Sequence, residues 1–402
     1  MKNLAALAFA CLPLFSHAQD CASGRYVSPN VFSDVTVTSG VVFGSNTGVN
    51  GSNQTLRMDV YEPAGDQTTL RPVVIVAFGG SFVGGSRADV ANVCTDLAKR
   101  GYVAVANDYR VGFFLPNQTT TTRAVMRGAH DMRACVRYLR KSVAELGNPY
   151  GIDPDRIIAG GVSAGAISAL HATYLDQDAE VPAVLSSEIA GLGGIEGNSG
   201  NPGYSSDVYA CYSFSGAIGD SSWLQPGDQP LVSLHEVGDG VVPYYTAPVY
   251  VVGLPTGLTA SGSHDIHLRA DNIGLVNCLK SYPGTGHVGY LGASGFSGAM
   301  DYVALFLGQL VCSAPVTCGI TTEVSEFAAE SGAAWPNPTA GVVNIDSPRT
   351  TNAVVLDFAG RVLMQARLRS GSTPLDLSSL AAGGYVIIST DGAFAPMRVV
   401  RD

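Results

Sequence analysis

Gly161-Val162-Ser163-Ala164-Gly165 sets one serine among small residues, directly after the apolar pair Ile157-Ile158 and directly before Ala166-Ile167-Ser168-Ala169-Leu170. Strand, sharp turn and helix are the elements this order predicts, with the serine hydroxyl held out at the turn. Glycine on both sides suits a strained backbone that other parts of the chain approach closely. At the head of the helix the amide of Ala164 has no intrahelical acceptor, so it is free to bind an oxyanion formed on an attacked carbonyl. Ser163 is the candidate nucleophile. A hydroxyl becomes nucleophilic only when a base takes its proton and a carboxylate orients that base.

For the carboxylate, Asp239 lies just beyond the Leu231-Val232-Ser233-Leu234-His235 strand pattern, in Gly238-Asp239-Gly240; Glu236, Asp228 and Asp220 are its rivals. For the base, His287 in Gly286-His287-Val288-Gly289 follows the strand pattern 275–282 and precedes a helical pattern. His130 and His171 fall inside helical patterns, His235 lies within a strand, and His264 and His267 precede the next strand, so none has as direct a path. Phe78-Gly79-Gly80-Ser81-Phe82-Val83-Gly84-Gly85 follows another strand, and the amides of Gly80 and Ser81 are expected to complete an oxyanion hole with Ala164. Phe82, Phe113, Phe114, Trp223, Tyr244, Tyr245 and Tyr290 lie in loops after strands, where a substrate pocket is expected. No His/Cys/Asp cluster has the spacing of a zinc site, so neither metal nor other cofactor is expected.

The elements that must hold these residues read as strands alternating with helices. Leu56, Met58 and Val60 alternate with polar neighbours, as in a half-buried strand, whereas 72–78 and 103–109 are continuous apolar runs suited to strands covered on both faces. Between 123 and 146, Val125, Met132, Val136, Leu139 and Val143 recur at helical spacing, with arginines on the opposite face. Strands are expected at 156–160, 208–214, 231–235 and 275–282, and a closing helix at 299–311; a mostly parallel sheet with helices on both faces follows. The Gly-rich stretch 188–206 enters a strand from its amino end and is not read as a lid. After 314–331, which has no strong period, short strands separated by Gly-containing turns, one of them Ala359-Gly360, form a small all-β module.

The chain has 402 residues, 46% of them hydrophobic, enough for a large domain and a smaller one and too many for a disordered protein. With 23 basic and 33 acidic residues the net charge is −10, which disfavours phosphate backbones, so no nucleic-acid partner is expected. Residues 1–18 read as a signal peptide: Lys2, an apolar run, then Ser16-His17-Ala18. No later run is long enough to span a bilayer. Removing 1–18 leaves seven cysteines in an oxidising setting; Cys312 and Cys318 enclose a short loop that a disulfide is expected to staple, and Cys94 and Cys135 read equally well as buried thiols. The expected layout is 1–18 signal, 19–312 catalytic domain, 313–332 linker and 333–402 β-sandwich-like module.

Residues from about 40 to 312 resemble the α/β-hydrolase esterases and lipases of the carboxylesterase and hormone-sensitive-lipase-like kind. The resemblance rests on Gly79-Gly80-Ser81-Phe82, on Asp108-Tyr109-Arg110, on Gly151-Ile152-Asp153-Pro154-Asp155-Arg156-Ile157 leading into the serine motif, and on Gly286-His287. One departure is Phe78, where that family usually has a histidine steadying the oxyanion loop. Residues from about 335 to 402 resemble the C-terminal sorting domain of the type IX secretion system of Bacteroidetes, through Pro336-Asn337-Pro338-Thr339, Ala359-Gly360-Arg361-Val362 and Leu380-Ala381-Ala382-Gly383-Gly384-Tyr385-Val386. The resemblances imply a secreted or surface-attached serine hydrolase that cleaves small-molecule or polymer-linked carboxylic esters and meets the type IX machinery through its last domain. A serine peptidase of the same fold and a non-catalytic binding protein on a hydrolase scaffold are the alternatives.

Overall fold

The computed structural model describes residue 21 and residues 23–318, 333–357, 361–389, 393–394 and 396–402. The signal segment 1–18, most of the linker and the Ala359-Gly360 turn lie outside the described residues. The chain divides into two units, Met1–Gly319 and Ile320–Asp402.

In the first unit the strands are β1 (Val35–Thr47), β2 (Asn53–Pro63), β3 (Arg71–Ala77), β4 (Val103–Asn107), β5 (Ile152–Val162), β6 (Ala210–Phe214), β7 (Ala217–Ile218), β8 (Leu231–Glu236), β9 (Ala247–Val251), β10 (Leu254–Gly262) and β11 (Asn277–Tyr282). Its α-helices are α1 (Ala91–Lys99), α2 (Gln118–Glu145), α3 (Ala164–Tyr174), α4 (Ser263–Asn272) and α5 (Phe296–Val311). Eight strands form one sheet in the order β1-β2-β4-β3-β5-β6-β8-β11. Pairing is antiparallel at β1/β2 and β2/β4 and parallel at every step from β4 to β11. The fold is that of the α/β-hydrolases. Every residue of β3, β4, β6 and β8 is buried, as continuous apolar strands covered on both faces must be. Because these strands run parallel, the loops after β3, β5, β8 and β11 emerge at one edge, which gathers Gly80, Ser163, Asp239 and His287 there.

The long helix starts one turn earlier than its apolar period predicts. The run 119–122 is all threonine, a weak helix former, but Asn117 caps it: its side chain accepts from the Thr120 amide at 3.0 Å and the Thr120 hydroxyl accepts from the Asn117 amide at 3.0 Å. The arginine face of α2 is covered by the stretch 188–206. Arg133 donates to the carbonyls of Ile195 and Leu175, Arg137 to Gly200 and Glu196, and Arg140 to Ser205. Guanidinium groups thereby satisfy backbone carbonyls of a loop that lies outside any helix or strand.

The disulfides correct one expectation. Cys312 and Cys318 do not pair with each other; Cys21 pairs with Cys312 and Cys278 with Cys318. Cys312 ends α5, and the N-terminal segment runs along that helix, with Val27 and Tyr26 filling the space beside Gly308. Cys318 instead reaches strand β11, where Cys278 sits. Cys94, Cys135 and Cys211 are buried free thiols.

In the second unit β12 (Ala334–Trp335), β13 (Val342–Ser347) and β16 (Gly371–Asp376) form one antiparallel sheet, and β14 (Thr351–Leu356), β15 (Val362–Leu368), β17 (Gly383–Ser389) and β18 (Met397–Arg401) form another. Val343, Ile345, Val355, Leu375, Ile387 and Val399 from both sheets share one core. It is all β, as its alternating pattern requires.

Candidate active site

Ser163 has φ 54° and ψ −116°, a conformation that L-residues rarely adopt and that the surrounding packing must impose. Two bonds impose it: the Ser163 amide donates to the Phe214 carbonyl at 2.8 Å, and its own carbonyl accepts from Ile167 at 2.9 Å as α3 begins. A Cβ at Gly161 or Gly165 would stand 2.4 or 2.1 Å from the Ala77 carbonyl oxygen, so the turn packs against β3 only because both are glycine.

His287 Nε2 lies 2.8 Å from Ser163 Oγ, and His287 Nδ1 lies 2.7 Å from Asp239 Oδ2. The Asp239 side chain has no solvent exposure, while that of His287 is 19% exposed and so reachable by substrate. Asp239 Oδ1 accepts from the amides of Val241 and Val242 at 2.8 and 3.0 Å. Burial alone would raise the carboxyl's pKa; hydrogen bonds from His235, His287 and those two amides outweigh it and hold the group well below the usual carboxylate range. Its rivals are engaged elsewhere. Glu236 accepts from the Gly289 amide, Asp228 from Gln225 and Asp220 from Ser222.

A second imidazole touches the same carboxylate. His235 is fully buried, with Nε2 3.2 Å from Asp239 Oδ2 and 3.1 Å from the Val242 carbonyl oxygen. Both neighbours are acceptors, so Nε2 carries the proton and donates; Nδ1 lies 2.8 Å from Ser263 Oγ. The sequence offers one signal for this contact, the four-residue spacing of His235 and Asp239 across a strand end, and it is easily passed over because a strand histidine reads as core.

After β3 the loop places Ser81 (φ 54°) and Phe82 (φ 61°) in left-handed conformations, and both line the same pocket as Ser163 and Ala164. Gly80 borders a different cleft, with Val162, Val288 and Leu291, on the far side of this loop. Phe78 is buried and stacks on Tyr109 with ring centroids 4.4 Å apart. The Tyr109 hydroxyl donates to the Phe78 carbonyl at 2.9 Å, and Phe82 meets the same ring edge-on.

The pocket at Ser163 has mainly apolar walls: Val125 and Met126 from α2, Ile167 from α3, Trp223, Val242 and Pro243 from loops. Its remaining wall is the β9–β10 hairpin, through Val249, Val251 and Leu258, an element with no clear strand signal in the sequence. His171 is a polar group in this wall. Its Nδ1 donates to the Ile167 carbonyl at 2.8 Å, Nε2 accepts from Gly219, and burial lowers its pKa to about 4, so it is neutral.

Of the aromatic candidates, Phe82 and Trp223 line this pocket. Phe113 and Phe114 do not; they line a separate cleft with Arg110 and Arg127, and Met126 stands between the two. Tyr290 is buried behind the histidine loop, stacked on Tyr282 at 4.7 Å and donating to the Leu234 carbonyl at 2.8 Å. Tyr244 packs edge-on to His235, and Tyr245 lies against His264. Among the described residues no group of three or more His, Cys, Asp or Glu side chains is placed to hold a metal ion, and no helix is long and apolar enough to cross a membrane.

The fold is an α/β-hydrolase domain in which Ser163, His287 and Asp239 form one hydrogen-bonded row at the carboxyl edge of its sheet. Residues 58–206 match the family model BD-FAE, and residues 333–396 match the secretion system C-terminal sorting domain. Lipase 1 of Geotrichum candidum is 31% identical over 124 residues, which are 29% of this chain and 21% of the lipase. Fumonisin B1 esterase of Sphingopyxis macrogoltabida is 29% identical over 145 residues, 34% of this chain and 26% of that enzyme. The chain thus matches about a quarter or less of the length of these curated relatives. Among solved structures, Thermogutta terrifontis esterase 2 phosphorylated by paraoxon has a TM-score of 0.49 and 22% identity, covering 71% of this chain and 97% of that one. Both resemblances read from the sequence are therefore found again: an esterase-like stretch that contains the serine motif, and a sorting domain that ends the chain.

Proposed function

We propose that this protein is an exported serine hydrolase that cleaves carboxylic esters through an acyl-enzyme. The observation that carries the reading is the continuous relay from Asp239 through His287 to Ser163 at the floor of an apolar pocket. Ser163 Oγ attacks the ester carbonyl carbon as His287 Nε2 takes its proton. The amides of Gly80, Ser81 and Ala164 bind the resulting oxyanion. His287 then returns the proton to the departing alkoxide, and the alcohol leaves. Water, deprotonated by the same imidazole, attacks the acyl group; Ser163 recovers its proton and the acid is released. Asp239 stays ionised throughout and holds the imidazole in one tautomer.

The sorting-domain match supports export through the type IX system to the cell surface or the medium. Ser163→Ala should abolish ester turnover and covalent labelling by an organophosphonate while circular dichroism is unchanged. Undiminished labelling of that variant would sink the assignment. Nitrophenyl esters of rising acyl length, feruloyl and acetyl-sugar esters, and peptide amides assayed side by side separate an esterase from a peptidase, and silence on all of them would favour a binding protein.

A further inference from the structure

A second cleft, of about 380 Å³, lies beside the Ser163 pocket, and Met126 of α2 lines both. Thr122 and Val125 face the Ser163 side of this ridge; Arg123 and Arg127 face the other. Three guanidinium groups line the second cleft, and two are neutralised. Arg110 is paired with the buried Asp131, 2.9 Å away, and Arg123 is paired with Glu188 through two hydrogen bonds.

Arg127 is different. Among the described residues no carboxylate lies within ion-pair distance of it; its single bond runs from Nη2 to the Gly112 carbonyl, and its buried Nε has no partner. Burial and the neighbouring Arg110 lower its pKa to about 10, so it stays cationic at neutral pH although its surroundings disfavour the charge. An anion would relieve that cost. Beside it stand Phe113 and Phe114, and Phe114 is 81% exposed, an aromatic ring with nothing packed over it.

We propose that the Arg127 cleft is a subsite for a carboxylate carried on the aromatic or apolar leaving group of the ester, which crosses the Met126 ridge from Ser163. A planar group resting on Phe114 places its carboxylate beside Arg127, whose Nη1 has no acceptor among the described residues. This rests on the ester-hydrolase reading for its catalytic consequence, but binding at Arg127 does not require turnover.

The test uses the full chain and two isosteric esters, 4-(carboxymethyl)phenyl butyrate and 4-(carbamoylmethyl)phenyl butyrate, which differ in charge and hardly in leaving-group reactivity. At low salt kcat/KM should favour the carboxylate by about tenfold or more, the contribution of one charge-assisted hydrogen bond. That preference should fall toward one in Arg127→Gln, survive in Arg127→Lys, and shrink in 0.5 M sodium chloride. Phe114→Ala, which removes an exposed side chain and leaves the core intact, should weaken KM for both esters. Calorimetry of 4-hydroxyphenylacetate with Ser163→Ala should show binding that the additional Arg127→Gln change removes. No carboxylate preference in the native chain, or a preference untouched by Arg127→Gln, overturns the subsite. Failure of both esters to turn over while the acid still binds through Arg127 would overturn the hydrolase reading and leave the subsite standing.

Discussion

His235 is the residue whose place in the site the sequence conceals, and its removal should have a measurable signature. It supplies one of four donors to the Asp239 carboxylate, and donors to a charged acceptor contribute about 1.5–3 kcal/mol each. His235→Phe should therefore lower kcat by roughly tenfold with little change in KM, since it loosens the orienting carboxylate without touching substrate. The pH dependence follows from the same bonds. A carboxyl whose folded pKa is depressed stabilises the native state above its unfolded value, about 3.9, and loses that contribution as pH falls toward the folded one. Acid unfolding followed by circular dichroism should thus move to higher pH in His235→Phe, and an unmoved midpoint would show that His235 contributes nothing to Asp239. Phe78 makes a second case. Its ring and the Tyr109 hydroxyl secure the loop that carries Ser81, so Phe78→Ala should depress kcat more than it raises KM, and Tyr109→Phe should do so more mildly. Equal turnover numbers for Phe78→Ala and the native chain would mean that the loop is held by other contacts.

At the scale of elements, the β9–β10 hairpin decides what the pocket accepts. It pairs with the short β7 and stands apart from the eight-stranded sheet, yet Val249 and Leu258 close one side of the cavity above Ser163. Leu258→Trp should fill that side, so acetyl esters should be spared while octanoyl esters lose at least tenfold in kcat/KM; parallel losses for both would place the acyl chain elsewhere. The hairpin was illegible in the sequence for a physical reason. Most of its residues are exposed or half-exposed, with no sustained run of buried apolar side chains, and Gly253, Pro255 and Gly257 interrupt any strand period. The central strands, buried on both faces, could be read directly from their unbroken apolar runs. The Cys21–Cys312 bridge closes a loop with a sequence separation of 291 residues and ties the segment around Cys21 to the last helix of the domain. Replacing both cysteines by serine should cost about 2–5 kcal/mol, read as a lower denaturation midpoint. An unchanged midpoint would show that packing of Tyr26 and Val27 on α5 suffices.

For the whole molecule, division of labour between the two units is the testable point. Ser163, Asp239 and His287 all belong to the first unit, which has a hydrophobic core of its own, and the second has a separate one. A chain ending at Cys318, which keeps the Cys278 bridge, should fold and hydrolyse esters at the full-length rate yet stay in the periplasm of a host with type IX export. Loss of turnover on truncation, or a tail that stays attached and binds a glycan, would favour the binding-protein reading.

The fold class and the order of the large elements were legible in the sequence, and Ser163, Asp239 and His287 could be singled out there, because each reading depends on local chemistry: apolar period, turn glycines, and a strand end preceding a polar residue. Tertiary structure alone decided which side chains share a surface. Phe113 and Phe82 are both aromatic and both follow strands, yet they line different clefts with Met126 between them. The cysteine pairing and the His235–Asp239 contact belong to the same kind. Each joins groups through space, where the distance between two atoms is set by the packing of whole elements rather than by the residues that adjoin them.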